Sequence, residues 1–130
     1  MSEPASNGQG VLVVDDEKNI RTTLAMYLEQ LGYEVSSADG VAAAMDALRC
    51  ARFDLAFVDL KLRGESALDL IPRLIAESPE LLIVLMTADA TAEEISAATA
   101  RGAWLYLPKP FSPKLIRTTV DRATAARAGR

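Results

Sequence analysis

The sequence contains no histidine and a single cysteine, Cys50. Without histidine, this stretch of chain can build no histidine-based catalytic triad, no histidine-ligated zinc site and no phosphohistidine donor. A lone cysteine excludes both an internal disulfide and a cysteine-rich metal site, and Cys50 is interpreted as a small apolar residue on a helix. Any acid–base or metal chemistry must therefore use carboxylates, hydroxyls and lysine.

Long runs of positive charge and long apolar runs are also missing. The net charge is −4 and the isoelectric point is about 4.8, so we expect no direct binding of nucleic acid by this domain. No segment is long enough to span a membrane, and the polar N-terminal residues lack the apolar core of a signal peptide. We expect a cytoplasmic protein that does not attach to a membrane.

Five apolar runs alternate with five stretches of helical periodicity. The predicted strands are residues 11–14, 34–38, 53–60, 81–86 and 103–107. This alternation, without an internal repeat, predicts one α/β domain: a doubly wound (βα)5 parallel sheet with right-handed crossovers. Residues 1–9 are predicted to be a disordered tail, 10–123 the domain, and 124–130 a helix end or linker that we expect to be followed by more chain.

Local signals mark where two of the helices begin. Ser66 is a predicted cap, although Pro72 within the same helix predicts an irregular start because proline lacks a backbone N–H. Thr91 followed by Glu94 matches a capping box, and Gly102 is the predicted end of that helix.

Polar side chains stand at the ends of four of the five strands. They are Asp15 and Asp16 after the first strand, Asp59 at the end of the third, Thr87 after the fourth and Lys109 after the fifth. The carboxyl ends of parallel strands share one edge of the sheet, where ligands bind, so we expect these groups to converge. Taken one at a time, these residues have simpler interpretations. Asp15 and Asp16 could cap a helix, Asp59 could lie in a turn, Thr87 could be an ordinary strand residue, and Lys109 could be a solvated lysine.

Three neighbouring carboxylates repel one another, so the cluster favours a hard cation between them. Mg²⁺ fits best because it takes few protein ligands and keeps several waters. It would leave room for a phosphoryl group, whose oxygens could also meet the Thr87 hydroxyl and the Lys109 charge.

These residues resemble a known family, the receiver domain of two-component response regulators. The resemblance covers residues 11–122 and depends on four motifs in order. They are Val13-Val14-Asp15-Asp16-Glu17, Asp59 closing the third strand, Met86-Thr87-Ala88, and Gly102-Ala103 leading to Tyr106-Leu107-Pro108-Lys109-Pro110-Phe111. The resemblance implies the flavodoxin-like strand order 2-1-3-4-5. The run from Phe111 to Pro113 and the tail are most similar to receivers of nitrogen-regulation-type transcriptional activators.

The resemblance assigns a role to each member of the cluster. It implies that Asp59 is the phosphoacceptor, with Asp16, Asp59 and the Lys61 carbonyl as direct Mg²⁺ ligands and Asp15 as a ligand through water. Thr87 and Lys109 would bind the phosphoryl oxygens and assist catalysis of the domain's own phosphorylation and dephosphorylation. The domain would act as a signalling phosphoacceptor and not as an enzyme with a separate substrate.

The resemblance also implies how the signal leaves the site. Tyr106 would turn inward when Thr87 moves, and Lys109–Pro110 would be a cis peptide. The output surface would be helix 4, strand 5 and helix 5, which is also a possible homodimer face, and a sensor histidine kinase would be the phosphodonor. Trp104 lies two residues before Tyr106, so alternation in a strand predicts that both side chains share one face. Trp104 is interpreted either as a core residue or, because its neighbours Ala97, Ala98 and Ala100 are small, as a partly exposed residue on an interaction face.

Two positions are expected to flank the predicted site, and the resemblance implies that they set how long the phosphoryl group lasts. Lys61 follows Asp59 by two residues, and Asp89 follows Thr87 by two. Their opposite charges suggest an ion pair across the mouth, although an exposed pair contributes only about 0.2 to 1 kcal/mol. Two independent solvated side chains are the alternative.

The sequence departs from the family pattern at Arg63 and Ala67, where proline and glycine are common, which affects the expected loop shape. Three other classes are weighed against the receiver. An aspartate-nucleophile phosphatase is disfavoured because Asp59-Leu60-Lys61 lacks a second acid, and a nucleotide-binding module is disfavoured because no glycine-rich loop follows strand one. A phosphorylation-independent interaction module remains the alternative.

Overall fold

The structure, a computed structural model, describes residues 10–62 and 64–128. Its strands are β1 (Gly10–Val14), β2 (Glu34–Ala38), β3 (Leu55–Asp59), β4 (Lys61–Leu62), β5 (Glu65–Ser66), β6 (Leu82–Thr87) and β7 (Leu105–Pro108). Its helices are α1 (Lys18–Gln30), α2 (Val41–Cys50), α3 (Ala67–Glu77), α4 (Ala92–Ala100) and α5 (Pro113–Ala128).

Five of the strands form one parallel sheet in the order β2-β1-β3-β6-β7. With β6 and β7 as the fourth and fifth strands of the sheet, the predicted fold and the strand order 2-1-3-4-5 are confirmed. The order reverses between β1 and β3, which are neighbours in the sheet although α1, β2 and α2 separate them along the chain. The crevice beside such a reversal, at the carboxyl ends of the strands, is where this fold binds ligands.

The sheet has a hydrophobic cluster on each face. Successive residues of a strand point to opposite faces, so Val58 packs into the cluster that contains residues of α2 and α3, and Phe57 into the cluster that contains residues of α1 and α5. Every residue of β3 and β6 is buried, as expected for central strands with helices on both sides. The buried position of Asp59 at the end of β3 follows from this arrangement.

A short antiparallel hairpin, β4 paired with β5, follows β3 and was not predicted. Gly64 occupies its turn with φ of +72°, a conformation that glycine adopts without strain. Arg63, one of the two departures from the family pattern, lies outside the described residues. The other, Ala67, is the buried first residue of α3.

The helix ends follow the sequence signals with one exception. The Ser66 hydroxyl accepts a hydrogen bond from the Leu68 amide, and α3 continues through Pro72, so the predicted irregular start of this helix was wrong. The cap provides the regular start, and Pro72 lies inside the helix. The capping box of Thr91 and Glu94 is present at α4.

The two chain termini differ in what the structure describes. Helix α5 continues to Ala128, so the segment after residue 123 begins as helix. The predicted tail, residues 1–9, lies outside the described residues, and the division into tail, domain and linker stays a prediction. None of the helices in residues 10–62 and 64–128 has the length and apolarity to cross a membrane.

The prediction that Trp104 and Tyr106 share a face was wrong. Trp104 packs against the cluster that contains residues of α1 and α5, whereas Tyr106 packs against the opposite cluster. The physical reason is that β7 begins only at Leu105, which packs on the same side as Trp104. Strict alternation therefore starts one residue after the tryptophan, and both aromatic side chains are half-buried.

Candidate functional site

The three predicted acids meet at the carboxyl edge of the sheet. Asp15, Asp16 and Asp59 each offer a carboxylate oxygen, and these oxygens lie within 4.8 Å of one another. Asp15 is fully buried directly after β1, and its amide donates to the carbonyl of Ala38 at the end of β2 (3.1 Å). Asp59 is 6% exposed and Asp16 half-buried. Parallel pairing of β1 with β3 thus joins residues that lie more than forty positions apart.

Lys109 reaches the same point from β7. Its amide donates to the Thr87 carbonyl (2.9 Å), which continues the β6–β7 pairing past the end of the strand. Its Nζ lies 2.8 Å from Oδ2 of Asp15 and 3.3 Å from Oδ2 of Asp59. Lys109–Pro110 is a cis peptide bond, as the resemblance implied. The predicted convergence of Lys109 on the acids is present, and the lysine makes direct ion pairs with two of them.

Burial and like charge perturb the titration of Asp59. Desolvation raises the pKa of its carboxyl above the usual 3.8, and the neighbouring Asp15 carboxylate raises it further. The Lys109 ammonium and the Lys61 amide, which donates to Oδ1 of Asp59 (3.3 Å), act in the opposite direction without cancelling this rise. The surroundings of Asp59 therefore disfavour its anionic form, and an additional cation would relieve this.

The pKa of Lys109 is also raised, which strengthens its charged state. Burial by itself lowers the pKa of the ammonium, but the hydrogen bonds and charges of Asp15 and Asp59 raise it by more. Its side chain is only 10% exposed. A largely buried lysine whose charged form is favoured by two neighbouring carboxylates can neutralise negative charge that is added to the site.

The donor set fits a hard divalent cation. All three clustered groups are carboxylates, and the oxygens face one another across a distance that a cation could bridge. One ammonium among three carboxylates leaves an excess of negative charge. Oxygen-only donors with an open, partly exposed side suit Mg²⁺ or Ca²⁺ and disfavour metals that prefer sulfur or nitrogen.

Thr87 ends β6 at this edge of the sheet and is buried. Its hydroxyl bonds to its own loop: Oγ1 accepts from the Asp89 amide (3.2 Å) and donates to the Asp89 carbonyl (3.3 Å). In this state the hydroxyl has partners in the loop and makes no bond to the acids. A phosphoryl oxygen would have to compete with Asp89 for it.

The ion pair predicted between Lys61 and Asp89 is not formed. Both residues are exposed, and over residues 10–62 and 64–128 neither side chain takes part in an ion pair. The physical reason is that the small Coulomb gain of an exposed pair does not outweigh the side-chain entropy that it would cost. The two side chains flank the site independently.

Two residues of the site were missed by sequence reasoning. Glu17 donates its amide to Oδ1 of Asp15 (2.9 Å), and its carboxylate lies 3.7 Å from Nζ of Lys109. Nη1 of Arg21 donates to the main-chain carbonyl of Asp15 (2.7 Å). The available signal was the helical spacing, which puts Arg21 one turn after Glu17 and beside residues 15–17, the acid loop between β1 and α1. Glu17, and neither of the two aspartates, is the N-cap residue of α1.

The predicted switch residue lies on the edge strand of the sheet. The half-buried Tyr106 packs against the cluster that includes Ala98 of α4. Its hydroxyl makes no hydrogen bond within the part of the chain that the structure describes. Nothing therefore ties the ring to one orientation except packing against these apolar neighbours.

Comparison with known proteins identifies the family. Residues 11–121 match the family described as the response regulator receiver domain. The chain is 38% identical over 113 residues to the DNA-binding transcriptional regulator NtrC of Azospirillum brasilense, covering 87% of this chain and 24% of the relative. It is 35% identical over 126 residues to the alginate biosynthesis regulator AlgB of Pseudomonas putida, covering 96% of this chain and 28% of the relative. The chain thus spans about a quarter of the length of these curated relatives.

One similar solved structure is chemically informative. A response regulator protein from Burkholderia pseudomallei, crystallised with a phosphorylated aspartic acid, a calcium ion and citrate, superposes with a TM-score of 0.82 at 31% identity. The match covers 93% of this chain and 72% of that one. Together with the family match over most of the chain, this similarity means that the chain belongs to the response regulator receiver domains of two-component signalling systems.

Proposed function

We propose that this domain is a phosphorylation switch in which Asp59 accepts a phosphoryl group from a phosphohistidine of a sensor histidine kinase. The observation that carries the proposal is the position of Asp59, a buried carboxylate with the Lys109 ammonium 3.3 Å away and oxygens of two further acids within 4.8 Å. The similar protein with a phosphorylated aspartic acid supports the same chemistry.

In the transfer step, a carboxylate oxygen of Asp59 forms a bond to phosphorus while the bond between phosphorus and the imidazole nitrogen of the donor breaks. The electron pair of that bond leaves with the imidazole, and the product is an acyl phosphate. Lys109 balances charge on the transferring oxygens because its ammonium already lies beside Asp59. Asp15, Asp16, Asp59 and the Lys61 carbonyl would hold Mg²⁺, with Asp15 acting through water. Bound there, the ion supplies charge neutralisation and orientation.

The added phosphoryl group would then shift the conformation of the output surface. A phosphoryl group adds about −1.5 to −2 charges and three acceptor oxygens. The Thr87 hydroxyl can bond to it only by releasing its partner Asp89, and this movement would open space that Tyr106 enters. The face formed by α4, β7 and α5, which includes Trp104, is the proposed output surface and a candidate homodimer face.

The curated relatives suggest the larger setting. NtrC is a DNA-binding transcriptional regulator and AlgB a transcriptional regulatory protein, and this chain matches only about a quarter of each. We propose that it is the receiver of a longer transcriptional regulator in the cytoplasm, where a sensor kinase would deliver the signal. DNA binding would belong to another domain of that regulator.

The test is the intact mass after incubation with a small-molecule phosphodonor and Mg²⁺. We expect one alkali-labile adduct of about 80 Da, the mass of a single HPO₃ group. Asp59→Asn should abolish the adduct, whereas Asp46→Asn, at an exposed acid on α2, should leave it unchanged. No adduct on the wild type would favour the phosphorylation-independent interaction module, and an unchanged adduct in Asp59→Asn would overturn the assignment of the phosphoacceptor.

A further inference from the structure

Arg21 holds the main chain of the acid loop. It lies in α1, is half-buried, and donates from Nη1 to the carbonyl oxygen of Asp15 at 2.7 Å. Asp15 lies just past Val14, the last residue of β1 that pairs with β2 and β3. Its amide still donates to the Ala38 carbonyl, but its own carbonyl accepts no backbone hydrogen bond from the described residues. In the described part of the chain, Arg21 is the only donor to this oxygen. A buried carbonyl without such a partner is costly, so the contact stabilises one conformation of the loop.

The same contact acts on the peptide group that leads to Asp16. The carbonyl of Asp15 and the amide of Asp16 belong to one planar peptide group, so holding the carbonyl sets the direction in which the chain leaves toward Asp16. The Asp15 side chain has its own bonds to Glu17 and Lys109. Asp16, by contrast, makes no hydrogen bond or ion pair within residues 10–62 and 64–128. No polar partner holds its carboxylate, so the position of that group depends strongly on the main chain that carries it.

From this geometry we propose that Arg21 is a positioning residue for the cation site: it fixes the Asp15–Asp16 peptide so that the Asp16 carboxylate faces Asp59. The proposal deepens the function proposed above and rests on it, since it concerns the same Mg²⁺ site. Replacing a residue that orients a metal ligand without binding the metal itself typically weakens metal affinity by about 10- to 100-fold.

Charge and position predict opposite effects of removing this arginine. A positive guanidinium near the site repels a divalent cation, so an effect of charge alone would tighten Mg²⁺ binding when Arg21 is neutralised. Loss of positioning would weaken binding, by about 10-fold on the scale of such residues. The sign of the change therefore separates the two explanations.

The experiment is calorimetric titration of Mg²⁺ into the wild type, Arg21→Met, Arg21→Lys and Lys18→Ala. Arg21→Met keeps the apolar stem and loses the charge and the donors, and we expect weaker binding. Arg21→Lys keeps the charge and one donor, and its affinity should lie between those of the wild type and Arg21→Met. Lys18 is the exposed first residue of α1, and Lys18→Ala is the matched control for charge, with unchanged or slightly tighter binding expected.

Asp16→Asn separates failure of this inference from failure of the proposed function. If the wild type binds no Mg²⁺, or Asp16→Asn binds as tightly as the wild type, the proposed metal site itself is wrong. If Asp16→Asn loses binding but Arg21→Met binds as tightly as the wild type or tighter, the positioning role is overturned. Circular dichroism checks that each variant folds, and Arg21→Gln, too short to reach the carbonyl, replaces Arg21→Met if that variant does not.

Discussion

The ammonium nitrogen of Lys109 lies 3.3 Å from Oδ2 of Asp59, the carboxylate that ends β3. The same nitrogen lies 2.8 Å from Oδ2 of the fully buried Asp15. Without a phosphoryl group, Lys109 thus neutralises part of the charge of the acid cluster. In the proposed phosphorylated state it would exchange carboxylate oxygens for phosphoryl oxygens, so the same residue would stabilise both states of the site.

Replacing Lys109 by glutamine should destabilise the protein in the absence of metal. The buried Asp15 carboxylate would lose its cation, and we expect the free energy of unfolding to fall by about 1 to 3 kcal/mol. Mg²⁺ should restore part of the loss because it binds the folded state and supplies positive charge to the same acids. Urea unfolding with and without Mg²⁺ measures both effects. The control is Lys114→Gln, at an exposed lysine of α5, and equal stability of the two variants would contradict the prediction.

The raised pKa of Asp59 predicts how stability depends on pH without metal. Between the unfolded pKa near 3.8 and the higher folded pKa, the folded protein binds more protons than the unfolded chain. Stability contributed by this group therefore falls as the pH rises through that window, and the full penalty remains above it. Asp59→Asn should remove the penalty and be more stable than the wild type at neutral pH. Urea unfolding at several pH values above about 4 tests this, and a wild type that is as stable as the variant throughout would refute it.

Trp104 should report activation or self-association. It is the only tryptophan in the sequence, is half-buried, and precedes the edge strand β7. Rearrangement or burial of the α4–β7–α5 face would change the polarity around the indole and so its emission. The measurement is emission against protein concentration, with and without phosphodonor and Mg²⁺, with Asp59→Asn as the control that cannot respond to the donor. Emission that changes neither with protein concentration nor with phosphodonor would mean that Trp104 has only a structural role.

The exposed residues Lys61 and Asp89 should influence phosphate lifetime independently. We expect Lys61→Ala to speed loss of phosphate because it removes an attractive charge, and Asp89→Ala to speed it by opening the path of water. Since no ion pair joins them, the fold-changes of the single variants should multiply in the double variant. Phosphate release after removal of the donor, at low and high salt, measures the rates. A double variant no faster than either single variant would mean that the two side chains act as one unit.

The local pattern of the sequence was enough to predict the layered fold and the members of the acid cluster. Apolar runs such as 81–86 and the helical periodicity between them depend only on neighbouring residues, and parallel strands necessarily end at one edge. The sequence was therefore enough to predict that Asp15, Asp16 and Asp59 lie close together. The capping signals at Ser66 and Thr91 were readable for the same reason, since a cap involves residues only two or three positions apart.

Tertiary structure decided which atoms the polar side chains contact. The ion pairs of Lys109, the contact of Arg21 with the Asp15 carbonyl and the absence of a Lys61–Asp89 pair depend on side-chain reach and burial, which residue spacing does not encode. The packing side of Trp104 depends on where β7 begins, and a one-residue shift exchanges the two faces of a strand. Sequence by itself thus determined the strand ends that carry the acids. Which contacts the side chains at those ends make depends on burial, charge and conformational entropy together, and these are set only when the whole chain is packed.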